Sequence, residues 1–197
     1  ADLGRQYEPI VRINSQSGKG GAAFVMRQSF GYVLPKAMHA EFGALVKEAC
    51  ERARRELGPE EVFAIFRQEY LDVVHPYHLL AYRIFEESGP GGQVAVDFEG
   101  IIRHHHVNKE VSGRGNAPIE AFFNALRALG LTEYEFVSYS EHAVSTGADS
   151  KAVSYIQLRH RGKISFGVGM DNNISIASIK GILCAINRSL ANETSTP

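Results

Sequence analysis

The chain has 197 residues, 44% hydrophobic and 22% charged, with 21 Lys+Arg against 22 Asp+Glu and a formal net charge of −1. That is the composition of an ordinary packed protein, which excludes collagen-like, disulfide-stapled and wholly disordered classes. Charge is balanced in both halves, so neither carries the basic excess of a nucleic-acid or anionic-membrane binder, and no such partner is expected.

No uninterrupted apolar run approaches the ~20 residues of a bilayer span. Ala1-Asp2-Leu3-Gly4-Arg5 lacks the apolar stretch of a signal peptide. Cys50 and Cys184 fall in helix-like patterns and are expected as buried free thiols of a cytoplasmic protein. The chain opens without Met on strand-like sequence, as a piece of a longer protein would.

Residues 8–13 read as a short strand. Asn14-Ser15-Gln16-Ser17-Gly18-Lys19-Gly20-Gly21 is too rich in glycine and serine to pack a core, so a hinge is expected at about 15–21, and 22–28 reads as extended again. From Pro35 the period changes. Met38, Phe42, Leu45, Val46, Ala49, Ala53 and Leu57 form one helical face, with Gly58 as its stop. Pro59-Glu60-Glu61 starts a second helix, with Val62, Phe63, Phe66 and Tyr70 on its apolar stripe. Residues 1–75 are thus expected to be a small, mostly helical linker subdomain ending near His75-Pro76.

Beyond that boundary three strands are expected, at 77–85, 93–99 and 101–107, with turns at Gly89–Gly92 and Gly100. A helix follows at about 117–129, with Asn116 as its N-cap and Gly130 as its end. The order then repeats, with strands at 133–144, 152–161 and 163–168 and a helix at about 174–190. Residues 76–191 therefore read as an α+β domain of two βββα copies related by a pseudo-twofold, with a polar tail at 192–197.

Each copy has a Gly-x-Gly before its helix: Gly113-Arg114-Gly115 and Gly167-Val168-Gly169. Free N–H groups at a helix start can hold a carboxylate or phosphate, and glycine lets a ligand reach the backbone. The alternative is a tight strand-to-helix turn with no ligand. Two such elements in a repeat would make a symmetric pair of anion sites.

Ser17-Gly18-Lys19-Gly20 fails the phosphate-loop pattern, because Gly20 stands where the metal-binding hydroxyl is needed. In a strand, His104 and His106 would share a face and could ligate one ion, but no third ligand has suitable spacing, so a polar strand face is expected and no metal is assigned. Glu141-His142 and Ser145 form no evident acid–base or nucleophilic set. The residues by themselves describe a binding or regulatory module without a catalytic constellation.

Several strings are similar to a known family. Gly4-Arg5-x-Tyr7-Glu8 and the run from Val11 through Asn14-Ser15-Gln16-Ser17-Gly18-Lys19-Gly20-Gly21 resemble the segment that follows the catalytic barrel in long-form α-isopropylmalate synthases. Gly113-x-Gly115-Asn116-Ala117-Pro118, Tyr139-x-Glu141-His142-Ala143 and Gly167-Val168-Gly169-x-x-x-Asn173-Ile174 resemble that family's regulatory domain. The resemblance covers residues 4–190. It implies that condensation of acetyl-CoA with 2-oxoisovalerate, and the divalent metal it needs, belong to a barrel outside this chain. The chain alone would then be inactive and hold no cofactor.

The resemblance also implies a homodimer that binds L-leucine for feedback inhibition. Matched by position, Gly113, Gly115, Asn116, Ala117 and Ile119 would form one leucine-lining loop. Tyr139, Ala143, Ser150 and Ala152 would close around the effector, and Gly167, Gly169, Met170 and Asp171 would form a second loop. Two alternatives stand beside it: the regulatory domain of a related synthase, such as an isoleucine-sensing citramalate synthase, and a metal-binding domain built on His104 and His106.

Overall fold

A computed structural model describes residues 11–18, 20–71, 73–146 and 149–194. The chain divides into two compact units, Ala1–Glu69 and Tyr70–Pro197, just ahead of the expected His75-Pro76 boundary. Residues 8–10 of the strand expected at 8–13, Lys19 of the glycine-rich segment and the end of the tail lie outside the described residues.

Among its described residues the first unit has three α-helices: α1 (Gly21–Phe30), α2 (His39–Ala53) and α3 (Pro59–Phe66). Helix α1 replaces the extended segment expected at 22–28. Ala22, Val25 and Met26 are buried at helical spacing, but the window is too short for its period to be told from a strand. Helix α2 follows a 3-10 turn at Lys36–Met38 and stops at Ala53, where Arg54 turns left-handed at φ 54°.

Gly58 is therefore not the end of α2 but the start of α3. Its N–H donates to the Glu61 carboxylate at 3.0 Å, and its carbonyl accepts from the Glu61 N–H at 3.1 Å. The Arg55 guanidinium and that N–H hold the Glu61 carboxyl down at about 2. Met26, Phe42, Val46 and Phe66 are fully buried, and the Phe42 and Phe66 rings meet edge-on at 5.6 Å. The Ser17 and Gln16 N–H groups both donate to Asn14, which closes a turn just before α1.

The second unit contains two antiparallel three-stranded sheets, β1-β2-β3 and β4-β5-β6. The strands are β1 (Tyr77–Ser88), β2 (Val94–His104), β3 (Val107–Gly115), β4 (Tyr134–Thr146), β5 (Asp149–His160) and β6 (Lys163–Asp171). Helix α4 (Pro118–Leu126) follows the first sheet, and α5 (Ile174–Thr194) follows the second. The α+β architecture of two βββα copies is the expected one.

The copies match closely. Tyr77 stacks on His104 at 4.4 Å and Tyr134 on His160 at 4.2 Å. Both first strands carry a bulge, at Leu79/Ala81 and at Phe136/Ser138. Both second hairpins turn on a left-handed residue, His105 and Arg161.

Two expectations in the first copy change. Gly100 is no turn; it lies inside β2, because the Phe98 ring folds over the place its Cβ would take, 2.9 Å away. The chain reverses instead at His105-His106, so the third strand is 107–115 rather than 101–107. Helix α5 also runs past 190. By length and composition it could cross a membrane, yet most of it is buried in the domain.

What seats both helices is glycine. A Cβ on Gly113 would overlap the Ala121 carbonyl and the Ala125 N–H of α4. One on Gly169 would overlap the Ala177 carbonyl and the Gly181 N–H of α5, and one on Gly167 would overlap Gly181 and Ala185. Backbone therefore packs on backbone. Counted from the equivalent turns, Gly113 corresponds to Gly169 and Gly115 to Asp171, so the two Gly-x-Gly motifs are offset rather than equivalent. The longer α5 crosses its strand further back and needs the additional Gly167.

Gly169→Ala should accordingly cost about 3 kcal/mol or more, beyond the usual range for overpacking. Gly20→Ala, with open space around its Cβ, should shift stability by less than about 0.5 kcal/mol. Urea unfolding of the two variants checks the contrast.

Candidate functional site

Helix α4 covers β3 and β2, and α5 covers β6 and β5, so each sheet keeps an inner face that its own helix does not fully close along the first strand. Tyr82 and Tyr139 take equivalent places there: Tyr82 pairs with Gly100 and Tyr139 with Ile156, just past the bulge in each copy. Tyr82 is 43% exposed and Tyr139 51%. Beside Tyr139 the Phe136 ring lies 5.9 Å away, and Phe136 meets Phe123 of α4 edge-on at 6.2 Å. Phe123 stands one turn beyond Ile119 on the same helix face. Ile119 and Tyr139 therefore sit at the two ends of one run of apolar contacts that crosses from the first copy to the second.

Most of the other residues expected at the site fall into two groups, and Met170 lies beside them on β6, opposite Val153 of β5. Ala143, Ala152 and Asp171 lie side by side on β4, β5 and β6, and Ser150 is nearer the hairpin tip. Gly113, Gly115, Gly167 and Gly169 line the strands under the helices, and the side of each Cα that a side chain would occupy is filled by helix atoms.

The two helix starts differ. Asn116 is not the N-cap of α4. That place belongs to Ala117, which has no side-chain group to offer, while the Asn116 N–H donates to the Glu120 carboxylate at 2.7 Å. The shift by one residue follows from Pro118, which fixes the first helical position and holds Ala117 extended. In α5 the Asn173 side chain accepts from the N–H groups of Ser175 and Ile176 at 2.9 and 3.3 Å. The α5 start is thus closed by its own side chain, and the α4 start has no side-chain cap.

Asp171 accepts from Lys180 Nζ at 2.7 Å and from the Asn173 N–H at 3.0 Å. Burial would raise its carboxyl, but the Lys180 ammonium and the Asn173 and Asn172 N–H groups outweigh it and hold the carboxyl below the usual aspartate value.

His104 closes β2 and stacks on Tyr77, while His106 belongs to the turn, so the pair does not share a strand face. Among the described residues no group of three or more His, Cys, Asp or Glu side chains could hold a metal ion. His142 hydrogen-bonds the Tyr155 hydroxyl at 2.9 Å, a structural role. Cys50 and Cys184 are free and buried, as expected. An open concavity of about 600 Å³ on the outer face of the first sheet, between Arg83, Glu99, Ile101, Glu110 and Ser112, includes none of the expected site residues.

Residues 56–190 match the family described as the LeuA allosteric (dimerisation) domain, which takes in every element from α3 to most of α5. The chain belongs to this family. Residues 1–27 match a second description, alpha-isopropylmalate synthase, post-catalytic domain-like. Among curated relatives, the 2-isopropylmalate synthase of Clostridium acetobutylicum is 46% identical over 189 residues, which is 95% of this chain and 34% of the relative. That of Corynebacterium efficiens is 36% identical, over 96% of this chain and 32% of the relative. That of Pseudomonas entomophila is 39% identical, over 98% and 33%. The chain thus spans about a third of the length of the relatives it matches.

Phe123, Phe136 and Tyr82 are the site-facing residues that position matching did not select. Tyr82 was recoverable from the repeat, since it stands in the first copy where Tyr139 stands in the second.

The Asp171–Lys180 pair gives a signed expectation. A carboxyl lowered on folding adds stability that is complete above its unfolded pKa and is lost as pH falls through its folded pKa. In Lys180→Met, carbon-detected NMR should show the Asp171 carboxyl titrating at higher pH than in the parent, and acid unfolding should begin at higher pH. An unchanged Asp171 titration would remove Lys180 as the cause.

Proposed function

We propose that this chain is the leucine-sensing, self-associating region of a 2-isopropylmalate synthase. The observation that carries the proposal is the match of residues 56–190 to an allosteric dimerisation domain, on a fold that leaves Tyr82, Phe136 and Tyr139 exposed along the inner faces of its first strands. Apolar inner-face surface of this kind is closed most simply by a second copy, which gives the homodimer.

L-leucine then binds where the copies meet. Its carboxylate belongs at the start of α4, where the helix has no side-chain cap and its dipole favours an anion. The α5 start, already capped by Asn173, is the poorer anion site. The ammonium needs acceptors, and Asp171, held ionised, is one. The butyl group fits the run from Ile119 to Tyr139, and burying it contributes roughly 1.5–3 kcal/mol. Feedback inhibition follows if leucine holds the copies in one arrangement. The condensation itself belongs to the rest of such a synthase, and this chain alone should release no CoA from acetyl-CoA and 2-oxoisovalerate. Isoleucine sensing is the weaker reading, since the relatives named above are all 2-isopropylmalate synthases. Among the described residues His104 and His106 are parted by the turn and no third ligand joins them, so the metal-domain reading gains nothing there.

Calorimetry with leucine, isoleucine and Zn²⁺, beside sedimentation with and without leucine, tests the proposal. Gly115→Asp is a poor probe, because its Cβ would stand 2.7 Å from the Ala121 N–H and unseat α4. Tyr139→Ala is cleaner, being half exposed. It should weaken leucine by at least about 1.4 kcal/mol, or tenfold, and change stability by less than about 0.5 kcal/mol. Leucine bound equally tightly by the variant would remove β4 from the site.

A further inference from the structure

The sequence offers no hint of what holds the connector that leads into β1. In the structure three of its residues, Tyr70, Val73 and Tyr77, all in the second unit, are clamped by α5. Asn187 is fully buried and spends its whole amide on this segment. Its Oδ1 accepts from the Tyr77 N–H at 3.0 Å, and its Nδ2 donates to the Tyr77 carbonyl at 2.8 Å and the Val73 carbonyl at 3.2 Å. One turn earlier, the Cys184 thiol donates to the Tyr70 carbonyl at 3.0 Å. Next to Asn187, the Arg188 guanidinium lies 4.1 Å over the Tyr70 ring and donates to the Phe166 carbonyl of β6 at 2.7 Å. Cys184, Asn187 and Arg188 share one helix face, at spacings of three and four.

Tyr70 belongs to the π-helical turn Arg67–Leu71 that leads on from α3. At its other end, α5 starts at the Asp171–Asn173 turn, and Lys180 ties the helix back to Asp171. The helix is unbroken over 21 residues, or about 30 Å at 1.5 Å per residue. It lies backbone on backbone against Gly167 and Gly169, which leaves little room for bending.

We propose that α5 carries effector occupancy from the Met170–Asn173 turn to the connector, through the Cys184–Asn187–Arg188 face. The proposal rests on the effector reading above and adds its route. A ligand at the turn bears on Asp171 and Asn173, which fix the start of the helix, and a shift of the helix is felt at once by the buried bonds to Tyr70, Val73 and Tyr77.

The chain can be tested as it stands. Tyr77 N–H exchange reports directly on the Asn187 bond, and in a Cys50→Ser background thiol labelling reports Cys184 alone. If clamp opening requires leucine to leave, leucine at ten times its Kd should slow both by about tenfold, and by more than it slows exchange of the α2 amides, which lie in the first unit. In Arg188→Gln, calorimetry should give a leucine affinity within about threefold of the parent, while the extra protection of Tyr77 and Cys184 over α2 disappears. Leucine binding in the parent with no extra protection of Tyr77 and Cys184 overturns the route and leaves the effector reading standing, and this arm needs no variant beyond the thiol background. Equal extra protection in Arg188→Gln also overturns the route. No heat from leucine in the parent overturns both.

Discussion

The second unit depends on the contact of helix backbone with strand glycine. At Gly113, Gly167 and Gly169 nothing stands between strand and helix, so the carbonyls and N–H groups of α4 and α5 lie where side chains would otherwise be. Such a contact tolerates almost no spacing error, because interiors are close-packed and any added carbon needs room that is absent. It fixes how deep each helix sits and where its first turn falls against the sheet end. The rest follows from that depth: each helix leaves part of the first strand of its own sheet exposed, at Tyr82 and Tyr139, and the two helix starts lie at the ends of β3 and β6.

The same seam shows how two copies of one motif diverge without losing register. Phe98 and Phe122 meet edge-on at 5.1 Å in the first copy. In the second, the equivalent pair is Ser154 and Ser178, hydrogen-bonded to each other at 2.9 Å while fully enclosed. Large rings need a helix held further off on that side, and two small hydroxyls allow close approach if each satisfies the other. The second copy has taken the closer packing, with Gly181 on the facing helix, where a Cβ would stand 2.7 Å from Ile156. The first copy ends its third strand at Gly115 and the second at Asp171, so one helix start is open and the other is tied to Lys180 and Asn173. A repeat that began as two like halves thus presents two unlike ends. For the proposed effector, that asymmetry favours one position over a symmetric pair.

Much of this was legible in the sequence. The order of strands and helices, the two copies, the buried free cysteines and the family strings all survive in the structure. Amphipathic periods over a dozen residues or more are strong signals, as in α2 and α4, and left-handed glycines close α1 and the 3-10 turn after α4. Misplaced elements have local causes. Residues 22–28 were too few to show a period, and Gly100 looked like a turn because its packing reason, the Phe98 ring, acts across a face rather than along the chain.

By itself the sequence determined the class of the fold and the family, because both rest on patterns that repeat along the chain: apolar period, cap residues and glycine strings. It also offered candidate site residues by position, such as Ile119 and Tyr139, but not Tyr82, Phe123 or Phe136. Only the tertiary structure decided what the glycines do, that Phe123 and Phe136 link Ile119 to Tyr139, and that α5 grips the connector through Asn187. Each of these depends on which atoms face one another across elements far apart in the chain. A glycine that admits a helix and one that admits a ligand are the same letter, and the depth of packing that distinguishes them exists only once the sheet and the helix have met.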